Sequence, residues 1–273
     1  MSDWQKYNTI YGKNFAFNDS MSERNKEKYL ISFECFSIHP SNYDLNISKK
    51  YKGIITWNSK HYNNLKLNNI NTFFFTGFPR FDDHYTLENF IPYENKIEGT
   101  CLICRHRNSH GIDISGKRLE VLTELSKHII CHSYGRTSYG GEMYKGAIGT
   151  NKGTLPSSLE KFQKLNEYKF NLCFENCYDE KWSWDYITEK IFDCFKAKTI
   201  PIYWGCYNIE KIIPPNLYID YREYIGDINK LVDRLKNISK QEYIDMTENA
   251  YEFEQKCEWG KLKYFDELLN SLP

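Results

Sequence analysis

The densest group of residues able to do chemistry lies between Tyr168 and Asp220. An apolar run, Tyr168 to Phe174, breaks into Glu175-Asn176. A loop follows to Tyr186, and Ile187-Thr188-Glu189-Lys190 then opens a helical pattern. In open α/β sheets, ligands bind beyond the carboxyl ends of the strands. A helix N-terminus there offers free N–H groups and a positive dipole end, which suits an anion. A lysine in the first turn of a helix opposes that dipole by about 0.3–1 kcal/mol, and an anionic ligand would offset the cost. A pyrophosphate fits, with Thr188 as hydroxyl donor or N-cap and Glu189 holding a ribose or sugar hydroxyl. On spacing alone the plain reading stands level with this one: Thr188 and Glu189 as capping residues, and Lys190 reaching to water.

The elements that must position these residues follow from the apolar rhythm. Tyr29 to Phe33, Tyr51 to Trp57 and Asn71 to Thr76 read as strands, with short polar or helical pieces between them. Met1 to Lys28 is polar and reads as an arm or a short helical entry. From Gly99 onward, strand and helix alternate. Strands are expected at 100–104, 129–132, 168–174, 199–204 and 217–219. Helices are expected at 116–127, 159–166, 188–198 and in three closing segments near 227–238, 240–253 and 256–270. Ile191, Cys194 and Phe195 give the 188–198 helix one apolar face. Such alternation means an α/β fold with mainly parallel pairing. Gly77 to Lys96, with Pro79 and Pro92, reads as a crossover between a unit at 1–96 and one at 97–273.

Composition removes several function classes. The chain has 273 residues, with 36 Lys+Arg against 36 Asp+Glu. A binder driven by phosphate electrostatics normally needs a basic excess, so no nucleic-acid partner is expected. At 16% aromatic residues the chain is not disordered by composition. No apolar run reaches the roughly 18 residues of a membrane span, and the first 30 residues lack a signal-peptide core. The expected location is cytoplasmic. The nine cysteines fit reduced, mostly buried thiols. Cys101 and Cys104 form the one C-x-x-C, but on a strand they point to opposite faces, which weakens a thiol or zinc reading. The sequons at Asn18, Asn46 and Asn237 are discounted as chance products of an Asn-rich chain.

The ordered run YKFNLCFEN (168–176), YITEKIFDCF (186–195), TIPIYWG (199–205) and NIEK (208–211) with Pro214 resembles the donor-binding signature of glycosyltransferase family 10, the α-1,3/4-fucosyltransferases. The resemblance implies a GT-B-like fold, two Rossmann-like domains with the N-terminal one reduced. It implies GDP-fucose as donor and inverting transfer of L-fucose to a hydroxyl, the 3-OH, of an acceptor glycan. Carried over by position, it assigns Asn176, Tyr186, Thr188, Glu189 and Lys190 to the nucleotide sugar and Arg118 to the pyrophosphate. Arg105 and Arg107 are less favoured. Inverting transfer also needs a general base on the opposing side of the cleft. Glu34, ending an apolar strand in a segment that resembles the family's catalytic-glutamate region, is the candidate, with Asp44 in reserve. No D-x-D motif is present, and Arg118, Lys190 and a helix dipole can neutralise a diphosphate. No obligatory metal is therefore expected, with stimulation by Mn²⁺ or Mg²⁺ left open.

The sequence departs from the resemblance in two places. Residues 179–185 (DEKWSWD) stand where many members have a shorter, Gly-containing loop, so Trp182 and Trp184 either stack on a sugar or pack. The N-terminal part is short for a full Rossmann-like half. Two further readings stay open: a sugar-nucleotide or glycan binder without turnover, and a transferase using another GDP-linked deoxysugar. Oligomeric state is not legible.

Overall fold

The structure, a computed structural model, describes residues 15–80, 85–104, 111–135, 141–148 and 157–273. Arg105 and Arg107 lie outside them. Two parallel sheets organise the described residues. The first has four strands, β1 (Phe15–Phe17), β2 (Tyr29–Ser32), β3 (Gly53–Thr56) and β4 (Thr72–Phe74), in the spatial order β1-β2-β3-β4. Helices α1 (Leu45–Ser48) and α2 (Ser59–Leu67) join its strands. The second sheet runs β6-β5-β7-β8-β9, with β5 (Ile97–Ile103), β6 (Ile130–Tyr134), β7 (Tyr168–Phe174), β8 (Ile200–Trp204) and β9 (Ile219–Asp220). Its connecting helices are α3 (Lys117–Ser126), α4 (Ser157–Asn166) and α5 (Glu189–Lys196), and α6 (Ile228–Lys236), α7 (Lys240–Lys256) and α8 (Leu262–Ser271) close the chain.

Strands buried on both faces read as continuous apolar runs. Every residue of β2, β3 and β7 is buried. One face of the first sheet places Leu30 and Ile54 against Leu65 of α2. Its other face places Tyr29, Ile31, Phe33, Ile55 and Trp57 against Phe265 and Leu269 of α8. The closing helix therefore packs on the first sheet, although sequence order groups it with residues 97–273. In the second sheet, α5 buries Ile191, Phe192, Cys194 and Phe195, as its apolar spacing requires.

Two expectations need correction. The polar stretch before Lys28 contributes β1, paired in register with β2. Directly after it, Asn18 adopts φ 61°, a left-handed conformation that asparagine tolerates better than most residues. Asp44, the reserve base, is instead the N-cap of α1 and accepts hydrogen bonds from the Asn46 and Ile47 backbones.

The strand order of the second sheet reverses between β5 and β7. That is a topological switch point, where open α/β sheets form their ligand crevice beyond the carboxyl ends.

Candidate active site at the carboxyl ends of the two sheets

Strand β7 delivers Glu175 and Asn176 to the switch point. The Glu175 backbone still donates to Trp204 O at 2.8 Å, so the residue continues the ladder with β8. Its carboxylate is fully buried. It accepts from the Thr188 backbone N–H at 2.9 Å, from Thr188 Oγ1 at 2.8 and 2.9 Å, and from Lys190 Nζ at 3.0 Å. A buried carboxylate needs such partners, because desolvation otherwise disfavours its charge. Thr188 stands at the N-cap position of α5 without a side-chain cap bond. Its hydroxyl donates to Glu175 and accepts from Lys190 Nζ at 2.8 Å.

Asn176 joins a second chain of contacts. Arg118, buried on α3, donates from Nε and Nη2 to Phe174 O, and from Nη2 to Glu175 O and Asn176 Oδ1. It thus clamps the end of β7. Asn176 Nδ2 donates to the Tyr186 hydroxyl at 3.3 Å. The structure therefore brings Arg118, Asn176, Tyr186, Thr188 and Lys190 into one region, linked through the 174–176 backbone and Glu175.

Glu189 completes the group as the first residue of α5. It lies 3.6 Å from Lys190 and 4.0 Å from Lys161 of α4. Burial works against its ionisation, but the two lysine charges outweigh burial and hold its carboxyl down at about 2. Burial likewise opposes the charge on Lys190, yet the Glu175 and Glu189 carboxylates raise its pKa above the ordinary lysine value. Arg118, Lys161 and Lys190 line a cavity of about 20 Å³ at the carboxyl ends of β5 and β7. That volume suits a single water molecule.

Glu34 sits two residues past the end of β2, in the first sheet. It is half-buried, and its backbone is fixed at both ends. Its N–H donates to Asn18 Oδ1 at 3.0 Å, and its carbonyl accepts from the Tyr43 hydroxyl at 3.1 Å. Cys35, the next residue, packs in one buried cluster with Cys177 and Tyr186. Burial pushes the Tyr186 hydroxyl up, and the acidic groups of Cys35, Glu34 and Glu175 push it further.

The 177–186 loop binds the two halves together. Trp182 stacks on Phe36 with ring centroids 4.3 Å apart and meets Tyr43 edge-on at 5.3 Å. Asp185 accepts from Ser59 Oγ at 2.5 Å. Tyr186 stacks on Trp57 at 5.0 Å. The Lys60 and Lys211 ammonium groups lie 4.0 and 5.0 Å from the Trp184 ring centroid. The 177–186 loop therefore builds interface, and Trp182 packs against protein.

Three residues with a part in this architecture were not singled out by sequence. Glu175 enters the sequence reading only as part of the Glu175-Asn176 break after an apolar run. Lys161 does not enter it. Asn18 reads as part of a polar arm, yet its side chain holds the Phe33 and Glu34 backbones. Their signals are tertiary, and the nearest sequence hint is the placement of Glu175 at the end of a wholly apolar strand.

Two Rossmann-like halves whose carboxyl ends meet define the GT-B class of glycosyltransferase folds. A solved α1,3-fucosyltransferase with GDP matches with a TM-score of 0.54 at 17% identity, over 95% of this chain and 78% of that one. The family model for glycosyltransferase family 10 (fucosyltransferase), C-terminal region, matches residues 93–247, more than half of the chain. The chain belongs to that family. The α-(1,3)-fucosyltransferase FucT of Helicobacter pylori is 35% identical over 101 residues, which is 36% of this chain and 20% of the relative. GDP-fucose protein O-fucosyltransferase 3 of Xenopus tropicalis is 34% identical over 107 residues, 38% of this chain and 21% of the relative. The matches thus span about a fifth of the length of these curated relatives. Among the described residues, no helix is long and apolar enough to cross a membrane.

Proposed function

We propose that the chain transfers L-fucose from GDP-fucose, with inversion, to a hydroxyl of an acceptor glycan, the 3-OH. The observation that carries this reading is the cation-lined cavity at the switch point of one sheet, with Glu34 two residues past the carboxyl end of a strand of the other. A cavity of about 20 Å³ is too small for a diphosphate, so the proposal seats the diphosphate across its mouth. Two N–H groups of Lys190 serve Glu175 and Thr188. Among the described residues the third has no hydrogen-bond partner, with Glu189 3.6 Å away, and the proposal gives it to a phosphate oxygen. Arg118 holds the β7 end and adds positive charge. Asn176 and Tyr186 shape the wall, and Glu189 accepts from a donor hydroxyl.

In the proposed step, the acceptor hydroxyl gives its proton to the Glu34 carboxylate as its oxygen bonds to the anomeric carbon. The bond from that carbon to the diphosphate oxygen breaks on the opposite face, and GDP leaves with the bonding electrons. A positioned base supplies about 10²–10⁴-fold. Fixed cations stabilise the charge developing on the leaving group without reorganisation. The same cations serve in place of an obligatory metal ion, and Mn²⁺ or Mg²⁺ would act only as a stimulant.

The similarity to a protein O-fucosyltransferase favours a second acceptor class, a serine or threonine hydroxyl on a polypeptide. Incubation with labelled GDP-fucose against a panel of glycans and hydroxyl-bearing peptides tests both. Transfer to a glycan supports the first reading, and transfer to peptides alone supports the second. GDP binding with neither transfer nor release of GDP from GDP-fucose would mark a binder without turnover.

A further inference from the structure

Lys161 belongs to α4, an element the donor-site reading leaves unused. Its side chain nevertheless lines the same cavity as Arg118 and Lys190. Its ammonium lies 2.5 Å from Asp193 Oδ2 and 4.0 Å from Glu189 Oε1. Glu189 and Asp193 stand one turn apart on α5, so one lysine of α4 ties down the face of α5 that begins at Glu189. Lys190 approaches Glu189 from the other side at 3.6 Å.

A plain ion pair would need Lys161 only as the partner of Asp193, which is 6% exposed. One feature goes beyond that. Among the described residues, one of the three N–H donors of Lys161 has a hydrogen-bond partner, Asp193, which leaves two facing the cavity side for other acceptors.

We infer that Lys161 is a binding residue for the donor: it holds Glu189 beside Lys190 and presents a third cation to the diphosphate. The inference rests on the donor-site reading above and extends it to a residue on a different helix. Lys161 acts on the leaving group's phosphates and on Glu189, and takes no proton from the acceptor.

The test is calorimetric titration of the full chain with GDP and, separately, with inorganic pyrophosphate. K161M should weaken both by about ten-fold or more, the loss of one hydrogen bond to a charged group. K161R should recover most of the affinity. K161M leaves Asp193 without its partner, so K161M/D193N removes both charges and separates folding from binding. If that double variant binds both probes as tightly as the parent, Lys161 serves only Asp193 and the inference is overturned. Binding of pyrophosphate that depends on Lys161, with no affinity for GDP, would keep this inference and remove the GDP-fucose reading. A parent chain that binds neither probe overturns both.

Discussion

Gly205 lies directly behind Glu175. A Cβ at position 205 would stand 2.3 Å from Glu175 Cγ and 2.4 Å from its Cβ. The glycine that follows β8 thus allows Glu175 to reach Thr188 and Lys190. Gly205→Ala should push the carboxylate off these partners. The expected loss of stability is about 1–3 kcal/mol, as for other overpacked interiors, together with weaker GDP binding. Urea denaturation and GDP titration of the same variant check it. Parent-like values in both would show that Glu175 does not organise the start of α5.

Lys190→Ala should weaken GDP binding and slow transfer together, because the lost contact serves both ground state and transition state. It also leaves the Glu175 carboxylate, fully buried, with Thr188 as its remaining partner. A drop in stability should accompany the kinetic loss. Glu175→Gln/Lys190→Ala removes the unpaired charge, so it should recover stability without recovering GDP affinity. Recovery of both would assign Lys190 to the fold alone.

The first half predicts an acid limb in stability. Burial holds the His61 imidazole down at about 4, below its ordinary 6.5, and its Nε2 has no hydrogen-bond partner among the described residues. The folded state therefore binds a proton less readily than the unfolded chain. The His61 contribution is present above about pH 6.5 and is lost as pH falls through 4, amounting to at most about 3 kcal/mol. Urea midpoints between pH 7 and 4 should fall in the parent and fall less in His61→Leu. Parallel curves would contradict the assignment.

Much of this architecture was legible because local pattern and burial agree. The run 168–174 is apolar and lies at the centre of its sheet, and the Ile191, Cys194 and Phe195 spacing fixes the buried face of α5. Strand β1 was not legible. It has three residues in a polar stretch, and its support comes from β2 and from Phe17 stacking on Phe33 at 5.6 Å. Helix α2 was also weakly signalled, since only His61 and Leu65 of its nine residues are buried. Lys161 and Asn18 share one cause: their partners, Asp193 and Glu34, come from elements distant along the chain. The order of charges within one helix carries no record of such contacts.

Transfer should survive EDTA. In this account Arg118, Lys161 and Lys190 stabilise the departing diphosphate, so a chelated preparation should keep most of its turnover. Loss of turnover that only Mn²⁺ or Mg²⁺ restores would place a metal ion in the step.

The most direct measurement compares Glu34→Gln with the parent for GDP affinity and for transfer from labelled GDP-fucose. GDP affinity should stay within about two-fold, since the proposed base does not touch the nucleotide, and transfer should fall by about 10²–10⁴-fold. The parent's product should carry fucose in the anomeric configuration opposite to the donor's. Equal turnover in the two proteins, or a product with retained configuration, would contradict it.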